Sequence, residues 1–388
     1  MTIKKYYEDS YISEFDAKVI SCERRPDGRY EVVLDETAFF PEGGGQPGDI
    51  GMLNDACVLD THEKFEDVVH YTDKALNVGE CVHGKLDFEH RFRLMQNHSG
   101  EHIVSGIVNR KFGLDNVGFH MGSEDITVDY NGFLSREQLL EVELEANRIV
   151  CRNIAVRAEF PSADVLENLH YRSKKALVGD IRIVTVDGVD VCACCAPHLS
   201  RTGEVGLIKI LDAIKYKGGV RVHLQCGFDA LDDYNRKYEA VRKIANALSS
   251  KQNDVAEAFS KYEEDFAQCR ANASAMKSEI LQMKVDLIKE SEGNLCLFEK
   301  ELSGDDLRKF ALSAAEKCRG ACAVFSGEDG KYNFVIVSRI HKLRALTKQI
   351  NGIIGGRGGG TDEMIQGFAV CSREIAERLM AEESIWQM

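Results

Sequence analysis

His98 with His102, and Cys194 with His198, are two pairs of metal-donor side chains, each pair four residues apart. On a helix, positions i and i+4 share one face about a turn apart, close enough to grip one ion. The first pair lies in QNHSGEHIVSG (96–106). There Leu94, Met95, Ile103, Ile107 and Val108 supply an apolar side and Phe112-Gly113 a stop, so the spacing predicts a helix. The second pair lies in CACCAPH (192–198), where Pro197 predicts a loop. Three imidazoles and a thiolate form a donor set that suits tetrahedral Zn2+. The competing structural reading is two exposed helix histidines beside a cysteine-rich buried hairpin. HSGEH (98–102) also fits the HxxEH peptidase pattern, with Glu101 as general base and a distant glutamate as third ligand.

The elements that must position these donors follow from the rest of the chain. Its 388 residues leave room for two or three domains, each burying its own core. The thirteen cysteines are odd in number and scattered, and MTIKKYYEDS (1–10) has no apolar core of secretory length. Free or metal-bound thiols in a reducing, cytoplasmic setting are expected, not a disulfide framework. No apolar run approaches the ~20 residues that span a bilayer, so no membrane contact is expected. The formal charge of −14 argues against a general polyanion binder. Local basic grooves stay open at Arg172, Lys174 and Lys175, at Lys215, Lys217 and Arg221, and at Arg339, Lys342, Arg344 and Lys348, each otherwise a solvated face.

The pattern predicts an α+β protein in four parts. Residues 1–90 read as a small β-barrel, with strands over Ala17–Cys22 and Tyr30–Leu34 joined by a turn at Pro26-Asp27-Gly28. Residues 91–230 read as an α+β domain built on the HxxxH helix. It has a strand at 126–130, a helix at 136–149, a hairpin turning at Asp187-Gly188, and strands at 205–210 and 220–224. Residues 231–292 read as a long helical hairpin or coiled-coil stalk. Val255, Phe259, Tyr262, Phe266, Cys269, Ala273, Met276, Ile280, Met283 and Leu287 alternate steps of four and three without a slip. Such a seam serves an antiparallel hairpin or a homodimer equally well. Residues 293–388 read as a small α/β domain carrying IIGGRGGG (353–360), a turn where backbone approaches something closely, often an anion.

Four motifs in this order resemble the standalone alanyl-tRNA editing proteins, which look like the editing half of alanyl-tRNA synthetase with a C-terminal DHH-associated domain. The family's TxFYPxGGGQxxDxG is matched by TAFFPEGGGQPGDIG (37–51), with Phe40 in place of tyrosine. Its HxxxH is matched by His98 and His102, and its CxxxH followed by TGEIG by CCAPH (194–198) and TGEVG (202–206). Its terminal GGKGGG is matched by Gly355, Gly356, Arg357, Gly358, Gly359 and Gly360, with arginine for lysine. The chain departs from the family at CCAPH, where CGGTH is usual, and at Glu101, where threonine is common. Cys192 and Cys195 stay open as alternative thiolates.

The resemblance implies ester hydrolysis of serine or glycine from the 3′ adenosine of mischarged alanine tRNA, with His98, His102, Cys194 and His198 on one zinc. Gln46 and Glu101 are the candidate catalytic residues, Glu101 as proton acceptor or as a hydrogen-bond partner of a ligand. Thr37, Gly43, Gly44 and Gly45 are expected to close on the substrate. His120 and Thr127 are the candidates for sensing the seryl hydroxyl. The terminal glycine-rich run is expected to touch tRNA. A tRNA-binding or assembly module with a purely structural metal is the non-enzymatic alternative.

Overall fold

The computed structural model describes residues 1–122, 125–173 and 180–386. Lys174 and Lys175 of the first basic cluster lie outside the described residues. The molecule is mixed α+β and divides into two units, Met1–Ile244 and Ala245–Met388.

The first unit begins with six strands: β1 (Glu14–Arg24), β2 (Tyr30–Leu34), β3 (Gly51–Leu53), β4 (Ala56–Lys64), β5 (Asp67–Thr72) and β6 (Cys81–Leu86). They close on themselves in the order β1-β2-β5-β4-β3-β6. Alternate residues point inward, so Phe15, Ala17, Val19, Val32, Leu34, Val58 and Val82 fill one core. The segment between β2 and β3 carries the glycine-rich motif. It is fastened to the following helix α1 (Phe88–Phe112) by the wholly buried Arg91. Arg91 pairs with Asp49 and donates to the carbonyls of Ala38 (2.7 Å) and Ser10 (3.1 Å).

Helix α1 starts where the Asp87 carboxylate accepts the His90 amide and stops at Gly113, φ 65°, which fulfils the expected boundary. It is buried along most of its length, so its two histidines are not exposed. Three elements share its core, β7 (Asn116–Met121), β8 (Ile126–Tyr130) and α2 (Arg136–Arg152), the last opened by a Ser135–Gln138 capping box. The strands β9 (Val156–Glu159), β10 (Ile183–Val186) and β11 (Asp190–Ala193) form an antiparallel sheet that ends in the cysteine loop. Next come β12 (Ile208–Tyr216) and β13 (Gly219–Cys226), which complete a four-stranded sheet β12-β13-β8-β7, and then α3 (Gly227–Ala247).

In the second unit, α4 (Val255–Asp286) leads to β14 (Leu295–Glu299), α5 (Gly304–Ala314), β15 (Ala321–Glu328), β16 (Lys331–Ser338), α6 (Leu343–Ile353), β17 (Arg357–Gly360), β18 (Met364–Ala369) and α7 (Arg373–Ala381). The sheet order is β14-β15-β16-β18-β17. Alternation along β15 splits the core: Ala321, Ala323 and Phe325 pack with α6 and α7, while Cys322 and Val324 pack with α5 and Val285. Of the apolar seam on α4, Phe259, Tyr262, Phe266, Met276, Ile280 and Met283 are all exposed.

The glycine-rich run makes the close backbone approach expected, but in a strand and not in a turn. Only Gly355 takes a positive φ, and Arg357–Gly360 form an edge strand paired with β18. A Cβ on Gly358 or Gly360 would stand 2.4 or 2.1 Å from the carbonyls of Gln366 and Met364, so crowding by the neighbouring strand accounts for these glycines.

Candidate metal centre

His98 and His102 project from successive turns of α1 and meet Cys194 and His198, which the loop after β11 delivers. The donor atoms of the four all lie within 4.8 Å of one another and could hold one metal ion. Cys194 Sγ is 3.5 Å from His98 Nε2 and 3.4 Å from His198 Nε2.

Each ring is held from behind at Nδ1, which leaves Nε2 for the ion. Gln46 Oε1 lies 2.8 Å from His98 Nδ1, Asp190 Oδ2 lies 3.0 Å from His102 Nδ1, and Ser99 Oγ lies 3.1 Å from His198 Nδ1. Asp190 is itself gripped by Arg172, whose Nε and Nη2 donate to its two oxygens at 2.7 and 2.9 Å. The loop keeps its shape because Arg182 caps it: the Cys194 amide donates to the Arg182 carbonyl (3.0 Å), and Arg182 Nη1 donates to the carbonyls of Cys194 (3.2 Å) and Ala196 (2.7 Å).

Burial sets the electrostatics. It pulls the His198 pKa well below the ordinary value, helped by the neighbouring His102 and His98, so this ring is a neutral donor. Burial also pushes the Cys194 thiol far up, with Cys195 adding to the effect, so a thiolate here requires a cation beside it. For Asp190, burial works against ionisation, but hydrogen bonds from His102 and Arg172 outweigh it and hold the carboxyl below its usual range.

A cavity of about 550 Å³ adjoins the donor cluster, its lining including Gly44, Gly45, His98, His102, Phe119, Cys194, Tyr7, Val117, Phe160 and Arg182. The glycines give it a backbone wall. Gly45 has φ +90°, and a Cβ there would stand 2.4 Å from the Phe119 carbonyl, so only glycine fits.

Residues 181–225 match the family model described as the threonyl and alanyl tRNA synthetase second additional domain. Over 386 residues the chain is 30% identical to the alanyl-tRNA editing protein AlaX-L of Pyrococcus horikoshii, covering 95% of this chain and 94% of that protein. The chain belongs to the alanyl-tRNA editing protein family. It is also 31% identical over 353 residues to an alanine–tRNA ligase of Halorubrum lacusprofundi, covering 86% of this chain and 38% of the ligase. For the ligase of Methanobrevibacter smithii the identity is 28% over 400 residues, with 96% and 44% covered. The chain therefore spans less than half the length of these ligases. Among solved structures, the C-Ala domain of Aquifex aeolicus alanyl-tRNA synthetase matches 26% of this chain and all of that domain, at 19% identity and a TM-score of 0.23.

Within this family member, not every residue expected at the site reaches it. Thr37 is wholly buried in the barrel, its hydroxyl 2.8 Å from His70 Nε2, and it does not line the cavity. Gly43 closes the turn through reciprocal 3.0 Å backbone bonds with Gln46, while Gly44 and Gly45 form the wall. His120 and Thr127 face each other across β7 and β8 and stand away from the cavity. The reason is strand alternation: Ile126, Val128 and Tyr130 fill the core, so Thr127 and its partner occupy the outer face. Glu101 is buried but does not line the cavity; Ser105 and Asn116 (2.6 Å) hydrogen-bond its carboxylate. The peptidase pattern needs that carboxylate at the ion, and the donor cluster is completed by Cys194 and His198 instead.

Of the alternative thiols, Cys195 lines the cavity beside the Gly43-Gly44 turn, and Cys192 groups with His102 and Asp190. Sequence reasoning missed Asp190, Ser99 and Arg182, and read Arg172 as part of a basic groove and not as the partner of Asp190. Asp190 had one signal, its place as the first residue of the strand that ends in the cysteine loop. No helix among the described residues is long and apolar enough to cross a membrane.

Proposed function

We propose that this protein is a trans-editing aminoacyl-tRNA deacylase that hydrolyses the ester joining serine or glycine to the 3′-terminal adenosine of alanine tRNA. The observation that carries the reading is the four-donor centre opening on a glycine-walled cavity, in a chain that belongs to the editing family.

The bound ion is zinc in this reading. For Zn–N near 2.0 Å and Zn–S near 2.3 Å, the edge of a tetrahedron is about 3.5 Å, and the sulfur–nitrogen separations of 3.5 and 3.4 Å fit it. When bound, zinc supplies Lewis acidity toward a carbonyl or a water. The chain supplies the rest. His98, His102, Cys194 and His198 would hold the ion, and Gln46, Asp190 and Ser99 orient the three rings.

Gln46 spends its oxygen on His98, and its Nε2 is buried without a partner among the described residues. Gln46 does not line the cavity, so its role in this proposal is to orient His98 and not to touch the ester. Water adds to the acyl carbon, the bond from that carbon to the ribose oxygen breaks, and a proton of the water passes to the ribose oxygen, which leaves as the hydroxyl. Glu101 takes a positioning role here, tying α1 to β7 through Asn116.

Gln46→Ala removes the acceptor behind His98, so metal affinity should fall by about 10–100-fold, read as faster loss to a competing chelator. The decisive experiment is deacylation of seryl-alanine tRNA, with metal analysis, before and after chelation. One zinc per chain and chelator-sensitive turnover are expected. No turnover on any mischarged alanine tRNA would leave the tRNA-binding module as the better reading.

Two surfaces serve partners in this proposal. The exposed edge strand Arg357–Gly360 contacts tRNA, and the exposed apolar stripe on α4 takes the same stripe of a second copy. Phe266→Glu should then halve the mass in sedimentation equilibrium.

A further inference from the structure

The cavity beside the donor cluster has a buried end and an exposed end. His98 and His102 are 1% and 2% exposed, whereas Phe160 is 47% and Val117 59% exposed. Two aromatic rings, Tyr7 and Phe160, stand at the exposed end and take no part in the chemistry described above. They are held in place: Phe160 meets Tyr7 edge-to-face at 5.3 Å, Tyr7 meets Tyr6 at 4.6 Å, and Tyr6 meets Phe40 of the glycine-rich motif at 5.4 Å. The Arg182 guanidinium lies 5.4 Å from the centre of the Tyr7 ring. Arg182 lines the same cavity, and its buried Nε has no partner among the described residues.

A half-exposed phenylalanine braced by a row of rings is not core packing, and its position has a use. If the acyl group lies over the donors, the polynucleotide must leave through the exposed end. The first group met on the way out is the base of the terminal nucleoside. A volume of about 550 Å³ is in the range of small-molecule sites, which suits an aminoacyl nucleoside. Flat π surfaces bind bases by stacking whatever their edges carry.

We infer that Phe160, braced by Tyr7, is the stacking platform for the terminal adenine, with Arg182 Nε–H available to an acceptor on that nucleoside. This subsite rests on the deacylase reading. It is a positioning site: it holds the ester over the donors and takes no part in bond breaking.

The test uses the zinc-loaded full chain and two non-hydrolysable probes, 3′-deoxy-3′-(L-seryl)amidoadenosine and the matching seryl-amide of the base-less ribose, titrated by calorimetry. The wild type should bind the adenosine compound roughly tenfold or more tightly than the base-less one. Phe160→Ala should erase most of that gap, Phe160→Leu should not restore it, and Phe160→Trp should keep it. Zinc content and melting temperature should stay unchanged in all three variants. On seryl-alanine tRNA, Phe160→Ala should raise KM by a similar factor and leave kcat nearly unchanged. No base-dependent gap in the wild type, or a gap that survives Phe160→Ala, overturns the inference even while deacylation persists. A wild type that fails to deacylate overturns the reading beneath it instead.

Discussion

His102 is oriented by a buried carboxylate, His98 by an amide oxygen and His198 by a hydroxyl, so the three rings do not depend equally on their supports. Asp190 carries the most, because it also satisfies the buried guanidinium of Arg172. Asp190→Asn should lower the affinity of the proposed metal site by about 10–100-fold, read as faster loss to a competing chelator. It should also lower the melting temperature, since Arg172 keeps its charge and loses its counterion. His70 makes a separate, pH-dependent statement at the same scale. It is wholly buried behind Thr37, and burial brings its pKa down from 6.5 to about 4. Between those values the unfolded chain binds a proton that the folded one refuses. This contribution to stability is therefore complete above about pH 6.5 and falls by about 1.4 kcal/mol per pH unit toward pH 4. Urea titrations from pH 7.5 to 4.5 should show a steeper loss in the wild type than in His70→Asn.

Gly106 lets the hairpin of β10 and β11 lie against α1. A Cβ there would stand 2.5 Å from the Val189 carbonyl and 2.8 Å from Asp190 Cβ. Gly106→Ala should push the hairpin off and weaken the proposed metal site, although none of the four donors is touched; metal retention on dialysis checks this. The sequence made the ligand-bearing helix legible because 3.6-residue periodicity, a stop and two donors at i and i+4 all agree there. The strand at Ile126–Tyr130 and the helix from Arg136 were equally plain from their apolar spacing. β7 was missed because Val117, Phe119 and His120 alternate too weakly, so the His120–Thr127 pairing across the two strands was not legible. The glycine-rich run near the C-terminus was misread as a turn because crowding by a neighbouring strand selects glycine as surely as a positive φ does. The partners of His98, His102 and His198 come from far along the chain, and local spacing carries no signal for them.

The whole molecule is acidic, so affinity for a polyanion must come from a few placed cations. If Arg357 contributes one phosphate contact, Arg357→Ala should weaken tRNA binding alike for correctly and wrongly charged species. It should also reduce the slope of log affinity against log salt by about 1. Filter binding across a salt series reads both effects. The cage around the ion also has a bearing on how this protein is made. Cys194 and His98 are 96 positions apart, so the first half of the cage leaves the ribosome long before the second exists. During that interval the early histidines offer a metal ion only half of the four donors. If the proposed ion is zinc, cells short of it should therefore accumulate a protease-sensitive species rather than the folded chain.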